Sequence, residues 1–155
     1  MTYIVKSWDD AKSLEGKEIG VSNWIVVDQE RINKFADATD DHQWIHVDTE
    51  RAAKEMPEGR TVAHGYLTIS LIPALIEEIV QVDGLERIIN FGINKARFRS
   101  MVPSGSQVRL RTVLKAARKR AGALYAEMEC SIEMEGQMRP VAQAECVVMY
   151  FADWV

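Results

Sequence analysis

The stretch from His64 to about Val80 constrains this chain more than any other. Leu67, Ile69, Leu71, Ile72, Leu75, Ile76 and Ile79 recur at helical spacing, and Tyr66, Ala74 and Val80 extend the apolar surface almost all the way round. A helix without a polar face must be wrapped by the rest of its own fold. The run without a charge, Gly65 to Ile76, is too short for a bilayer, which takes about 20 residues. Pro73 falls inside the pattern and should kink it or leave a carbonyl unpaired.

The wrapping follows in sequence. Leu124, Ala126, Met128, Cys130, Ile132 and Met134 alternate with Tyr125, Glu127, Glu129, Ser131, Glu133 and Glu135, the period of two of a strand with one wet face. Val108 to Leu114 alternates in the same way, and Val141 to Phe151 reads as a further strand. Turn residues at Pro103–Gly105, Lys119–Gly122 and Glu135–Pro140 separate them into an antiparallel meander. Upstream, Asp28 can cap a helix over Glu30–Ala38, with Ile32, Phe35 and Ala36 at core spacing, and Thr49 to Lys54 reads as a short helix. The pattern predicts an α+β hot-dog fold: an antiparallel sheet curled around one long central helix, with residues 1–155 as a single domain.

Composition agrees with a globular domain. A net charge of −4 argues against a nucleic-acid partner, and a local basic patch would still admit a small anion. The first 20 residues contain no apolar run of the secretory kind, so no membrane association and a cytoplasmic location are expected. Cys130 and Cys146 both fall on strands and read as small buried side chains rather than a disulfide.

Ionisable groups crowd into one place. Asp40, Asp41, His42, His46 and Asp48 lie within nine positions, and His64, the third histidine, follows the next turn. A solvated loop with helix caps would look the same by composition. The spacing of Asp41 and His46 is more informative: on a regular helix their side chains would stand about 140° apart. They can face one cavity only if Gln43 and Trp44 lie in an irregular loop, with Trp44 and Ile45 as its apolar anchors. A carboxylate and an imidazole so placed can hold a water and move its protons. His64-Gly65 stands just before the buried helix, whose free N–H groups would stabilise an oxygen gaining charge, although a tight turn alone would also explain the glycine.

The runs FADATDDHQWIHVDTERA and TVAHGYLTISL, followed by INFGINKARFRSMVPSGSQVRLR and PVAQAECVVMYFA, resemble the MaoC-like dehydratases, which include the (R)-specific enoyl-CoA hydratases. The wording is most similar to the nodulation protein N-like branch, and the resemblance runs from about residue 18 onward. It implies a hot-dog homodimer that adds water across a trans-2-enoyl-CoA, with no cofactor beyond the coenzyme A of the substrate. By resemblance Asp41 and His46 are the acid/base pair, and the Gly65 N–H holds the thioester carbonyl. Gln43, His64 and Ser70 are further candidates for substrate contact.

The enoyl-CoA hydratases often read Asp-x-Asn-Pro-x-His; here Gln43 and Trp44 replace the asparagine and proline, and Pro73 stands near a point where some carry serine. These departures leave the pair intact and the substrate open. Rival readings are a hot-dog thioesterase and a non-catalytic acyl-thioester binding module, which would have no need of the pair. A metal on His42, His46 and the nearby aspartates is not expected, since the hydratase chemistry needs none. Lys115, Arg118, Lys119 and Arg120 at a hairpin, and Lys95, Arg97 and Arg99 along a strand, are either coenzyme A contacts or simply wet surface.

Overall fold

The computed structural model describes residues 2–155. In chain order the elements are β1 (Tyr3–Val5), α1 (Trp8–Ser13), β2 (Glu18–Val21), β3 (Ile25–Val27), α2 (Gln29–Thr39), α3 (Trp44–Val47), α4 (Thr49–Glu55), α5 (Gly65–Ser70), α6 (Ile72–Ile79), β4 (Val80–Val82), β5 (Leu85–Phe98), β6 (Ser106–Arg120), β7 (Ala123–Met134) and β8 (Ala142–Ala152). The main sheet runs β2-β6-β7-β8-β5, with β3 also on β6, and all its pairings are antiparallel. A separate pair, β1 with β4, is parallel.

The alternation in β6 and β7 does what its period requires. Val108, Leu110, Leu114, Met128, Cys130 and Ile132 are buried in the apolar cluster that also takes Leu67, Leu71, Leu75 and Ile76 from α5 and α6. The sheet therefore packs over the helical segment and buries its inner face, which is the arrangement of helix on sheet that the sequence pattern predicts.

Two expectations need correcting. The central helix is not continuous: α5 ends at Ser70 and α6 begins at Ile72, with Pro73 in the first turn of α6. There its missing N–H costs nothing, so the chain restarts the helix instead of kinking it. Nor is the apolar surface wrapped all round. Tyr66 is 70% exposed, and Pro73 and Ala74 face outward beside Glu77 and Glu78. Sequence reading also passed over β1 to β3 and α1, which are too short to show a period.

β5 is a free edge. It hydrogen-bonds to β8, no other described strand pairs with it, and Ile88, Ile89, Phe91, Ile93 and Phe98 along it are all exposed. Cys130 and Cys146 are buried and free. No helix among the described residues is long and apolar enough to cross a membrane.

Candidate active site

The loop that carries Asp41 and His46 is built by interrupting a helix. Asp28 caps α2, its carboxylate accepting from the Arg31 N–H at 2.9 Å. At the far end Asp40 adopts a left-handed conformation (φ 58°, ψ 18°), which stops α2. Three non-helical residues follow before α3 starts at Trp44. This break removes the angular separation that a regular helix would impose. One oxygen or nitrogen from each of Asp41, His46 and His64 now lies within 4.8 Å of the others. Asp41 is exposed, whereas His46 and His64 are buried.

Each imidazole is fixed through one nitrogen. Nδ1 of His46 donates to the Val62 carbonyl at 2.6 Å, which leaves Nε2 with its lone pair. Nε2 of His64 donates to the Asp41 carbonyl at 2.9 Å, and its buried Nδ1 has no hydrogen-bond partner among the described residues. The two rings stack, with centroids 3.8 Å apart and planes 25° from parallel. Burial holds the His46 imidazole below the ordinary histidine range, with His64 adding to the effect; the Val62 carbonyl and Asp41 pull the other way.

The sequence reading missed the residues that hold this arrangement. Gln29, the first residue of α2, donates to the His46 carbonyl at 2.7 Å and accepts from the hydroxyl of fully buried Thr61. Thr61 neighbours Val62, whose N–H donates to the Ile45 carbonyl at 3.0 Å. One amide side chain thus ties α2, α3 and the strand-like segment before α5 together. Its only signal in sequence is a polar residue just after a helix cap, which is too common to single out.

His46 and Gly65 line one cavity of about 420 Å³, together with Ile45, Thr68, Phe98 and Arg99. Gly65 makes room for a close neighbour: a Cβ there would stand 3.1 Å from the Phe98 ring. Thr68, another residue that sequence reading passed over, is buried on the same wall. Gln43 is exposed at the start of α3, and its N–H makes a long 3.4 Å contact to the Asp41 carboxylate. Ser70 bonds to the Tyr66 carbonyl and lines a different, apolar chamber of about 810 Å³ between α5/α6 and β5/β8. His42 turns away to Asp37 at 2.9 Å. Asp41, His46 and His64 are close enough to hold a cation, but near-parallel stacked rings direct their in-plane lone pairs side by side rather than to one point.

Residues 10–136 match the family described as MaoC like domain. The chain belongs to the MaoC-like dehydratase family. It is 43% identical over 144 residues to 3-hydroxyacyl-thioester dehydratase Z of Mycobacterium tuberculosis, covering 92% of this chain and 95% of the relative. It is 43% identical over 147 residues to nodulation protein N of Rhizobium leguminosarum bv. viciae, covering 90% and 88%. The MaoC-like fold is also that of the unliganded R-hydratase PhaJ1 from Pseudomonas aeruginosa, with a TM-score of 0.71, 19% identity, and 90% and 83% of the two chains covered. The hot-dog architecture is therefore established, and membership places this MaoC-like chain among hydratase/dehydratase enzymes, which are carbon–oxygen lyases.

Proposed function

We propose that the protein reversibly hydrates a trans-2-enoyl-CoA to the (R)-3-hydroxyacyl-CoA. The observation that carries the reading is that a carboxylate oxygen of Asp41 lies within 4.8 Å of a ring nitrogen of His46, whose Nδ1 is held by the Val62 carbonyl and which lines a cavity together with Gly65. A thioester carbonyl bonded to the Gly65 N–H draws electrons from the conjugated β-carbon. Asp41 and His46 hold a water beside that carbon. Its oxygen bonds to the β-carbon, one proton passes to the pair, and the pair returns one proton to the α-carbon. With one water supplying both groups, addition takes place on one face. The (R) product follows the resemblance to the (R)-specific hydratases.

These steps are acid–base chemistry and call on no cofactor; coenzyme A enters as part of the substrate. The acyl chain has an apolar destination in the chamber beyond α5, where Ile69 and Ser70 stand one turn from Gly65. The free edge of β5 fits pairing with a second copy, giving a homodimer.

The test is the loss of enoyl absorbance on mixing the protein with crotonyl-CoA and longer trans-2-enoyl-CoAs. Turnover without release of free thiol supports the reading. Release of thiol without hydration would make the protein a thioesterase, and tight binding without turnover would make it a binding module.

A further inference from the structure

Two basic clusters stand out in the sequence, and the structure treats them differently. At the β6–β7 hairpin Lys115 pairs with Glu145, Arg118 pairs with Glu127, and Lys119 and Arg120 lie over the rings of Trp8, Phe91 and Tyr125. Those cations are engaged. Arg97 and Arg99 at the end of β5, with Arg139 from the β7–β8 loop, are exposed, and no carboxylate among the described residues pairs with any of them. The guanidinium of Arg97 donates to the Ala96 carbonyl and that of Arg99 to the Gln143 side chain, both neutral acceptors.

The three arginines line one recess of about 540 Å³, whose other walls include Phe98, Met138 and Pro140. Phe98, Arg99 and Ser100 belong both to this recess and to the cavity that holds His46 and Gly65. A group bound in the recess can therefore be joined to one reacting beside His46.

We infer that Arg97, Arg99 and Arg139 form a subsite for the phosphorylated nucleotide of coenzyme A, the diphosphate and 3′-phosphate meeting the guanidinium groups and the adenine resting on the apolar walls. This rests on the hydratase reading for the thioester end of the molecule. Guanidinium groups that line one recess without a carboxylate partner are the side chains best suited to phosphate oxygens. The alternative carrier of an acyl thioester is a protein-bound phosphopantetheine. It presents a single phosphodiester, which does not need three cations, and a protein surface, which does not enter a recess. A volume of this order suits a small ligand.

The experiment compares crotonyl-CoA with crotonyl-pantetheine, which lacks the nucleotide, in wild type and in the triple variant Arg97→Gln/Arg99→Gln/Arg139→Gln. The ratio of kcat/KM for the two substrates is expected to fall by about thirtyfold in the variant, the size expected when three phosphate contacts are lost at an exposed site. Lys115→Gln/Arg118→Gln, at the hairpin, should leave the ratio unchanged. Adenosine 3′,5′-bisphosphate, titrated calorimetrically, should bind the wild type with an affinity that weakens with salt, and should bind the triple variant far less. An unchanged ratio together with equal binding of the bisphosphate overturns the assignment. So does a loss confined to an enoyl thioester on an acyl carrier protein, which would make the arginines a protein-docking patch. If the wild type hydrates neither substrate, the hydratase reading fails, while the calorimetry still decides the subsite.

Discussion

His46 and His64 lie ring on ring, with centroids 3.8 Å apart, and each is anchored to a backbone carbonyl on the opposite side of the site. The bond from His64 goes to the carbonyl of Asp41, so one residue fixes both members of the proposed pair: it stacks on one and holds the backbone of the other. His64→Phe keeps a ring for stacking and removes the bond. It is expected to lower kcat about tenfold, in line with the loss of one buried hydrogen bond, with little change in KM and in the far-ultraviolet spectrum. An unchanged kcat would reduce His64 to a core residue.

The neutral state of His46 sets the expected pH dependence. Its value in the folded protein is depressed, chiefly by burial. The unfolded chain takes up that proton first, so the stabilising effect is complete above about pH 6.5 and is lost as the pH falls through the lower folded value. His42 has the opposite sign, since Asp37 raises it: its contribution is present at low pH and is lost as the pH rises through the raised value. The profile of kcat/KM should be level through neutrality and fall on the acid side, with a midpoint below about 6.5. His42→Asn should leave that limb in place. A midpoint above 7 would contradict a buried neutral base.

Gly65 tests the cavity wall. A methyl group there would stand 3.1 Å from the Phe98 ring, closer than side chains ordinarily settle, but Phe98 is half-exposed and can give way. Gly65→Ala should cost at most about 1 kcal/mol in thermal or urea unfolding, a mild overpacking. It should lower kcat/KM at least tenfold by crowding the N–H that meets the thioester, on the scale of a weakened oxyanion donor. Adding Phe98→Leu should restore part of the stability and not the activity. Recovery of both would show that Gly65 serves packing alone.

The β5 edge offers a further check. Ile93 is 52% exposed on a strand whose outer edge is unpaired among the described residues. Light scattering after gel filtration should give the mass of a dimer for the wild type, and Ile93→Lys should shift it toward the monomer. A monomeric wild type would remove the homodimer from the account.

The strands and the site loop were legible because their signals are local. Alternation along β6 and β7 shows in sequence, and the spacing of Asp41 and His46 calls for a break in the helix if the two are to face one cavity; the break falls at Asp41 to Gln43, whereas Trp44, expected in the loop, opens α3. The parts that sequence left hidden depend on distant contacts. Gln29 reaches His46 and Thr61 across 17 and 32 positions, and Phe98 covers Gly65 from a strand that begins 20 residues later. The break at Leu71 was foreshadowed by Pro73, but that position is compatible with a kink or a fresh start, and only packing decides between them. The exposure of Tyr66 went unread because an aromatic ring in an apolar run has the same sequence signature whether it faces the core or the outside.

The most direct test of the central claim is single-turnover hydration of crotonyl-CoA by wild type, Asp41→Asn and His46→Gln, each confirmed folded by its unfolding transition. The account predicts a rate at least about a hundredfold lower in either variant, and no further loss when the two are combined, since the groups act on one water. Hydration at the wild-type rate in either single variant would contradict it.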